Sequence, residues 1–314
     1  MFAVLHLPQF PLQAALRHEP ELWARPVALV DPALTTPRVC DCTGPARAAG
    51  VELGFTPTQA LARCRDILIR HRSSAQEGAD ADAVLQCAYG FSPNIEHTSP
   101  GTVTIDLRGL AELCSRRRKE TDQTGGEEVS ASSPRRLQNW ATRLRTALAA
   151  FSLTARIGTG PTPNIARHAA RWCEGIEIVT DPASFIAKLP VAALEPSTDV
   201  ALVLHKWGIR TVGELLALGQ DALVDRLGLE ALALFAAAST TALRPLNLVR
   251  PAERFEEAFD YEHPIETLEP LLFILRRFVD ALSQRLELTD LVAELLTLKL
   301  RLESGEALER RFRV

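Results

Sequence analysis

The sequence predicts an α+β fold, and three stretches predict it. Phe2–Leu7 is a short apolar run that reads as a buried strand. Thr102-Val-Thr-Ile-Asp-Leu107 alternates with the period that lays one face of a strand on a core. Leu268, Leu271, Leu272, Leu275, Phe278, Leu282 and Leu286 keep the three-to-four spacing of an amphipathic helix.

The remaining elements follow in order. Leu12, Ala15 and Leu16 give residues 12–18 a helical spacing, and Pro26–Val30 reads as a second strand. Ala46–Gly50 reads as a short helix stopped by its glycine. Pro57–Cys64 reads as another, with Thr56 as N-cap and Pro57 at its first position. A third runs over Asp80–Tyr89. Residues 115–136 are polar, charged and rich in glycine and serine, which predicts a loop inside a domain. Trp140–Ala150 resumes a helix, Thr154–Gly158 a strand and residues 164–172 a helix. Pro190 to Leu246 is helical with short loops, and Thr211 with Glu214 forms a capping box. Arg250–Ala258 reads as a linker. Leu296, Leu298, Leu300 and Leu302, alternating with Thr297, Lys299, Arg301 and Glu303, predict a last strand.

At 314 residues the chain is long enough for about two to four compact units. Its 46% hydrophobic and 24% charged residues suit a soluble globular protein. No apolar run reaches the length of a membrane span, and no secretion signal is visible. Six scattered cysteines make no disulfide framework and fit a reducing cytoplasm. Cys40-Asp41-Cys42 has no second close pair to complete a metal site, so these thiols read as buried or idle. Gly158-Thr-Gly160 reads as a turn rather than a nucleotide loop, and His6 and His168 as core or rim histidines. The net charge of −4 argues against strong non-specific nucleic-acid binding but leaves room for local basic patches.

Several motifs carry a resemblance. Phe2 to Arg17 resembles the opening of the Y-family (translesion) DNA polymerases: an apolar strand ending Asp-x-Asp, an aromatic pair, then Ala-x-Val-Glu. Ala46-Arg-Ala-Ala-Gly-Val51 and Gly54-Phe-Thr-Pro-Thr-Gln-Ala-Leu-Ala62 resemble the fingers segment. Phe91–Glu96 with Ser99–Leu107 resembles the second palm motif, and Gly158–Ala170 the palm helix after it. Gly208-Ile-Arg-Thr-Val-Gly-Glu-Leu215 resembles the second small helical motif of the thumb, and the end of the chain the first half of the little finger. The order and spacing agree over nearly the whole chain. The resemblance implies a right-hand polymerase: palm at 1–10 and 76–185 with a ferredoxin-like sheet, fingers at 11–75, a helical thumb at 186–246, a linker at 247–258 and an incomplete little finger at 259–314. Because the chain stops inside that last domain, a fragment or truncated gene is expected.

The departures from the pattern concern chemistry. Pro8, Phe10, Gly101 and Thr102 stand where the family has its metal-binding carboxylates. Two-metal phosphoryl transfer needs clustered carboxylates. The steric-gate aromatic is Gln13, the triphosphate-touching tyrosine is Gly44 with Arg47 kept beside it, and the palm-helix lysine is Arg167. Cys173-Glu174-Gly175 replaces a phosphate-holding Lys-Pro element. This pattern resembles the ImuB-like, non-catalytic branch of the Y family. It implies no catalytic residues, no metal and no cofactor. It also implies weak contact with damaged or primed DNA, and partnership with a sliding clamp, an error-prone C-family polymerase and a RecA-like accessory protein. The resemblance places candidate DNA contacts at Arg47, Arg167, Lys206, Arg210, Lys299, Arg301 and Arg311, with Arg310 and Arg313 on the same little-finger sheet. Lys206 and Arg210 belong to the thumb stretch His205–Thr211; the first thumb hairpin, Leu194–Thr198, lacks its glycines. Arg116–Lys119, Arg135 and Arg136 read as a solvated loop, and Gln284–Leu288, faintly like a clamp-binding pentapeptide, as core packing. The rival readings are an active translesion polymerase using Glu96 and Asp106, and an inert truncated remnant.

Overall fold

The computed structural model describes residues 1–113, 133–289 and 291–314. In chain order come β1 (Phe2–His6), α1 (Phe10–Leu16), β2 (Val27–Asp31), β3 (Arg38–Cys42), α2 (Gly44–Ala48), α3 (Pro57–Arg63), β4 (Leu68–His71) and α4 (Ser74–Phe91). There follow β5 (Ile95–Ser99), β6 (Thr102–Asp106), α5 (Pro134–Ala150), β7 (Arg156–Gly160), α6 (Pro163–Trp172) and β8 (Ile176–Ile178). A helical run comprises α7 (Pro182–Lys188), α8 (Thr198–Lys206), α9 (Val212–Ala217), α10 (Gln220–Leu227) and α11 (Leu229–Ala238). After an extended stretch come α12 (Leu268–Leu288), β9 (Leu295–Arg301) and β10 (Ala307–Arg313). The α+β class is as the sequence predicts.

The chain divides into two compact units. The first holds Met1–Pro8, Phe91–Ala147 and Ala155–Arg250. Its sheet has the order β5-β6-β1-β7-β8, with β1 antiparallel to both neighbours and β8 parallel to β7. As the middle strand β1 is buried on both faces, which accounts for its unbroken apolar run. Helix α6 packs on β1 and β7, and glycine sets how closely. A Cβ at Gly158 would lie 2.2 Å from the Ala170 nitrogen and 2.3 Å from the Ala166 oxygen. Gly158-Thr-Gly160 is therefore strand rather than turn, and its glycines admit a helix, not a nucleotide. Helices α6–α11 share a second core of Ile165, Ile186, Leu204, Val212, Leu215, Leu223 and Leu234. Within it the Thr211–Glu214 capping box forms as predicted.

The second unit holds Gln9–Gly90, Leu148–Thr154 and Pro251–Val314. Its three-stranded sheet runs β3-β2-β4. Ala28 and Val30 of β2 face one apolar cluster, Val27 and Leu29 another. A register shift opposite Leu29 and Val30 inserts Cys40 as an extra residue in β3. That bulge sends Cys40 to the Leu12/Leu16 cluster and Cys42 to the Ala28/Val30 cluster, so the two thiols do not converge. The Thr56 cap and Pro57 start of α3 are observed, with Gln59 completing a capping box. Helix α12 buries only Ile274 and Arg285; Leu268 and Leu272 of its predicted apolar stripe are exposed.

Other boundaries move. The predicted helix at Ala46–Gly50 lies at Gly44–Ala48, the one at Asp80–Tyr89 extends over Ser74–Phe91, and the strand at Thr154–Gly158 shifts to Arg156–Gly160. Of the predicted loop, residues 115–132 lie outside the described residues, while Arg135 and Arg136 stand in the first turn of α5 rather than in a loop.

Candidate functional site: the palm-like sheet end and the basic surfaces

The sheet end that the resemblance assigns to metal ions is built from the close of β1 and the opening of β6. His6 sits opposite Thr102, and the Leu7 amide donates to the Gly101 carbonyl at 2.8 Å. Pro8, Gly101 and Thr102 bring no carboxylate there. Phe10, opening α1 in the other unit, is buried at 4% exposure. Among the described residues no group of three or more His, Cys, Asp or Glu side chains is placed to hold a metal ion. A divalent magnesium ion requires oxygen ligands, chiefly carboxylates, and this donor set does not fit it.

Asp106 and Glu96, the acids left for a rival metal site, are both engaged. Asp106 lies opposite Phe2, at the other end of β1 from Thr102. The four-residue step along β6 separates them by about 13 Å. Its oxygens accept from the Arg108 amide at 2.9 Å and from Arg108 Nη2 at 2.6 Å. Burial pushes the Asp106 carboxyl up, but those hydrogen bonds and the Arg108 charge prevail and hold it below the usual range. Glu96 accepts from Arg244 Nη1 at 2.7 Å and Nη2 at 2.5 Å, and from the Asn247 amide at 2.8 Å. The Arg244 bonds hold its carboxyl low as well. With the Val249 amide donating to the Ile95 carbonyl, Glu96 fastens the chain after α11 to the sheet edge.

In the second unit the gate position is spent on structure. The Gln13 amide donates to the Thr154 carbonyl at 2.9 Å and accepts from the Thr154 amide at 2.8 Å. Arg17 follows, where the family motif has glutamate. It is 3% exposed and bonds Asp80 and, at 3.0 Å, Glu257. Arg285 of α12 reaches the same Glu257 at 3.1 Å and donates to Gln86 at 2.9 Å and to the Glu256 carbonyl at 2.7 Å. Burial raises Asp80 to about 6 against the pull of Arg17. Burial also pushes Glu257 up, but the bond with His18 and the charges of Arg17, His18 and Arg285 bring it below the usual range. The pentapeptide-like stretch Gln284–Leu288 is thus helix, with its arginine buried in an ion network. Nothing local in the sequence announces this network, because its members come from four separated segments.

The predicted DNA contacts divide between the two units. Arg47, on α2, is half exposed and bonds Asp41 and the Cys42 carbonyl. Arg167, on α6, pairs with Glu195 at 3.1 Å. Lys206 and Arg210 are exposed on either side of the α8–α9 turn. Lys299, Arg301 and Arg311 share one face of the β9–β10 hairpin with Arg313 and Glu309, since the register sets Thr297 against Arg311 and Lys299 against Glu309. Arg310 pairs with Leu298 and belongs to the opposite, apolar face, with Leu300 and Phe312. His168 is buried, with its Nε2 3.0 Å from the Ala237 carbonyl, a core role.

Comparison with known proteins accords with this geometry. Residues 5–171 match the impB/mucB/samB family. The chain is 26% identical to Protein ImuB of Caulobacter vibrioides over 240 residues, 76% of this chain and 48% of that protein. It is 25% identical to DNA polymerase IV of Ralstonia nicotianae over 218 residues, 68% of this chain and 56% of that protein. It therefore spans about half the length of these curated relatives. The fold superposes on crystalline DinB from Sulfolobus solfataricus with a TM-score of 0.63 at 15% identity, covering 100% of this chain and 87% of that one. From its sequence match and its fold, the chain belongs to the impB/mucB/samB family, within the Y-family polymerase superfamily.

Proposed function

We propose that this chain is a non-catalytic Y-family polymerase homologue, a cytoplasmic adaptor in bacterial DNA-damage-induced mutagenesis that touches primer-template DNA weakly. One observation carries the reading. Glu96 and Asp106, the acids of β5 and β6, are paired with Arg244 and Arg108, and the positions that would carry metal ligands hold none. The similarity to Protein ImuB supports the same branch. Among the described residues no helix is long and apolar enough to cross a membrane. In this reading residues 1–10 and 76–185 are the palm, 11–75 the fingers, 186–246 the thumb, 247–258 the linker and 259–314 part of the little finger. The partners are those implied by the family branch: a sliding clamp, an error-prone C-family polymerase and a RecA-like protein.

Primer extension on a primed template, with Mg²⁺ and then Mn²⁺, tests the reading. No incorporation is expected from the wild-type chain. Incorporation that disappears in Glu96→Gln or Asp106→Asn would overturn it in favour of an active polymerase. Pull-down of purified clamp and polymerase tests the adaptor role, and an inert remnant would retain neither.

A further inference from the structure

A cavity of about 150 Å³ opens on the second unit, where α12 and the extended chain before it meet β4. Phe259, Tyr261 and Phe273 wall it, and the buried Ile274 completes the apolar lining. The Phe259 and Tyr261 rings meet at 80° with centroids 4.9 Å apart, which makes a corner of two aromatic walls. The Tyr261 hydroxyl donates to the Pro270 carbonyl at 2.9 Å and so pins that ring to the first turn of α12. A space of this volume takes one benzene-sized group, the head of a single side chain.

The charge of the lining is negative. Glu19 and Glu262 bring two carboxylates to it and Arg70 one guanidinium. Arg70 is engaged with both: Nη2 donates to Glu19 at 2.7 Å, and Nη1 lies 3.8 Å from Glu262. The His71 amide and its Nδ1 also face Glu262, at 3.2 Å and 3.1 Å. Nearby Arg277 is set against Glu21 at 4.0 Å, so one negative charge is left over. It stands beside three rings whose faces carry negative potential. Aromatic walls with carboxylates at hand attract an organic cation and repel an anion. Phe273 already accepts one such group, since the Arg277 guanidinium lies over its ring, 4.4 Å from the centroid. Next to the cavity Leu268 and Leu272 of α12 are 70% and 61% exposed. Apolar surface beside a pocket suits a polypeptide rather than a free amine.

We propose that this cavity binds an arginine or lysine side chain of a partner polypeptide, whose neighbouring apolar residues cover Leu268 and Leu272. The cationic head lies against the aromatic walls and donates to the Glu19 and Glu262 carboxylates, which have lone pairs beyond those directed at Arg70 and His71. The site goes beyond the adaptor reading and does not depend on it.

The test uses the full chain at low salt and needs neither DNA nor another protein. The chain has two tyrosines, Tyr89 and Tyr261, so fluorotyrosine labelling gives two fluorine resonances, assigned with Tyr89→Phe. The probes are acetylarginine amide and acetylcitrulline amide, which has nearly the same shape and no charge. The arginine probe is expected to shift the Tyr261 resonance saturably and to leave Tyr89 unmoved. The citrulline probe is expected to bind about tenfold more weakly or worse. Glu19→Gln with Glu262→Gln is expected to weaken the arginine probe about tenfold. Arg70→Gln takes the positive charge out of the lining and is expected to tighten it several-fold, a gain that loss of structure does not produce. Acetyl-Leu-Arg-Leu amide is expected to bind several-fold tighter than the arginine probe, and Leu268→Ser with Leu272→Ser to abolish that advantage. No saturable Tyr261 shift, equal binding of the citrulline probe, or affinity unchanged across the charge variants would overturn the site. Tighter binding of acetylleucine amide would overturn it in favour of an apolar anchor pocket, and no advantage for the tripeptide would overturn the polypeptide assignment.

Discussion

Glu96 and Asp106 show why the presence of a carboxylate does not make a metal ligand. Each has its lone pairs directed at a guanidinium and at a backbone amide, and each is held ionised by those partners rather than by a metal ion. His6 presents the opposite case, a base kept neutral by burial and by arginines. Its folded midpoint of about 4 lies below the ordinary 6.5 of the unfolded chain. As pH falls from 6.5 to 4 the unfolded chain therefore takes up a proton that the folded chain refuses, and stability is lost across that window. His6→Gln removes this contribution. Melting temperatures at pH 7 and pH 4.5 are expected to fall less in the variant than in the wild type, and equal falls would refute the assignment. At this scale the identities of Pro8, Phe10, Gly101 and Thr102 are readable by inspection. The new use of Gln13 was not, because its partner Thr154 lies 141 residues away.

Among elements, β7 and α6 are joined as closely as two backbones allow. Gly158→Ala places a methyl against helix backbone that no side-chain rotation can relieve. A loss of about 3 kcal/mol is expected in a denaturant titration, from overpacking. An unchanged midpoint would mean that α6 shifts freely on the sheet. The buried network of α1, α4, α12 and residues 254–257 makes a second prediction. Arg285→Met leaves Glu257 with one cation fewer in a dry site and should cost about 3 kcal/mol, read from the same titration. Strands β3, β4, β5, β8 and β10 escaped the sequence reading for identifiable reasons; in β5 a register irregularity between His97 and Ser99 breaks the alternation. A bulge at Cys40 interrupts the alternation of β3, β4 and β8 are only four and three residues long, and β10 is exposed along its whole length. Helix α4 reads short from sequence because its first turns bury polar residues, Gln76 and Asp80, which periodicity counts as surface.

For the whole chain, a net charge of −4 conceals how the charges are arranged. One face of the β9–β10 hairpin presents Lys299, Arg301, Arg311 and Arg313, with Glu309 beside Arg311 and Glu294 3.6 Å from Arg313. If DNA lies on that face, the triple variant Lys299→Ala, Arg301→Ala, Arg311→Ala lowers the slope of log affinity against log salt by about 0.9 per lost phosphate contact. Fluorescence anisotropy over a salt series measures the slope. An unchanged slope would move the contact elsewhere, and circular dichroism should be unaffected because the three side chains are exposed. The fold was legible at this scale because many short motifs recur in one order, whereas buried ion networks depend on residues that meet only after folding. The position of β1 also bears on synthesis. It is the middle strand, yet its partner on one side ends at Gly160, so Phe2 waits for its companion while the ribosome adds the whole intervening stretch. At about 5–20 residues per second that delay is about 8–30 s. During it the most apolar strand of the sheet has an open edge, the transiently unpaired kind that favours aggregation of a nascent chain.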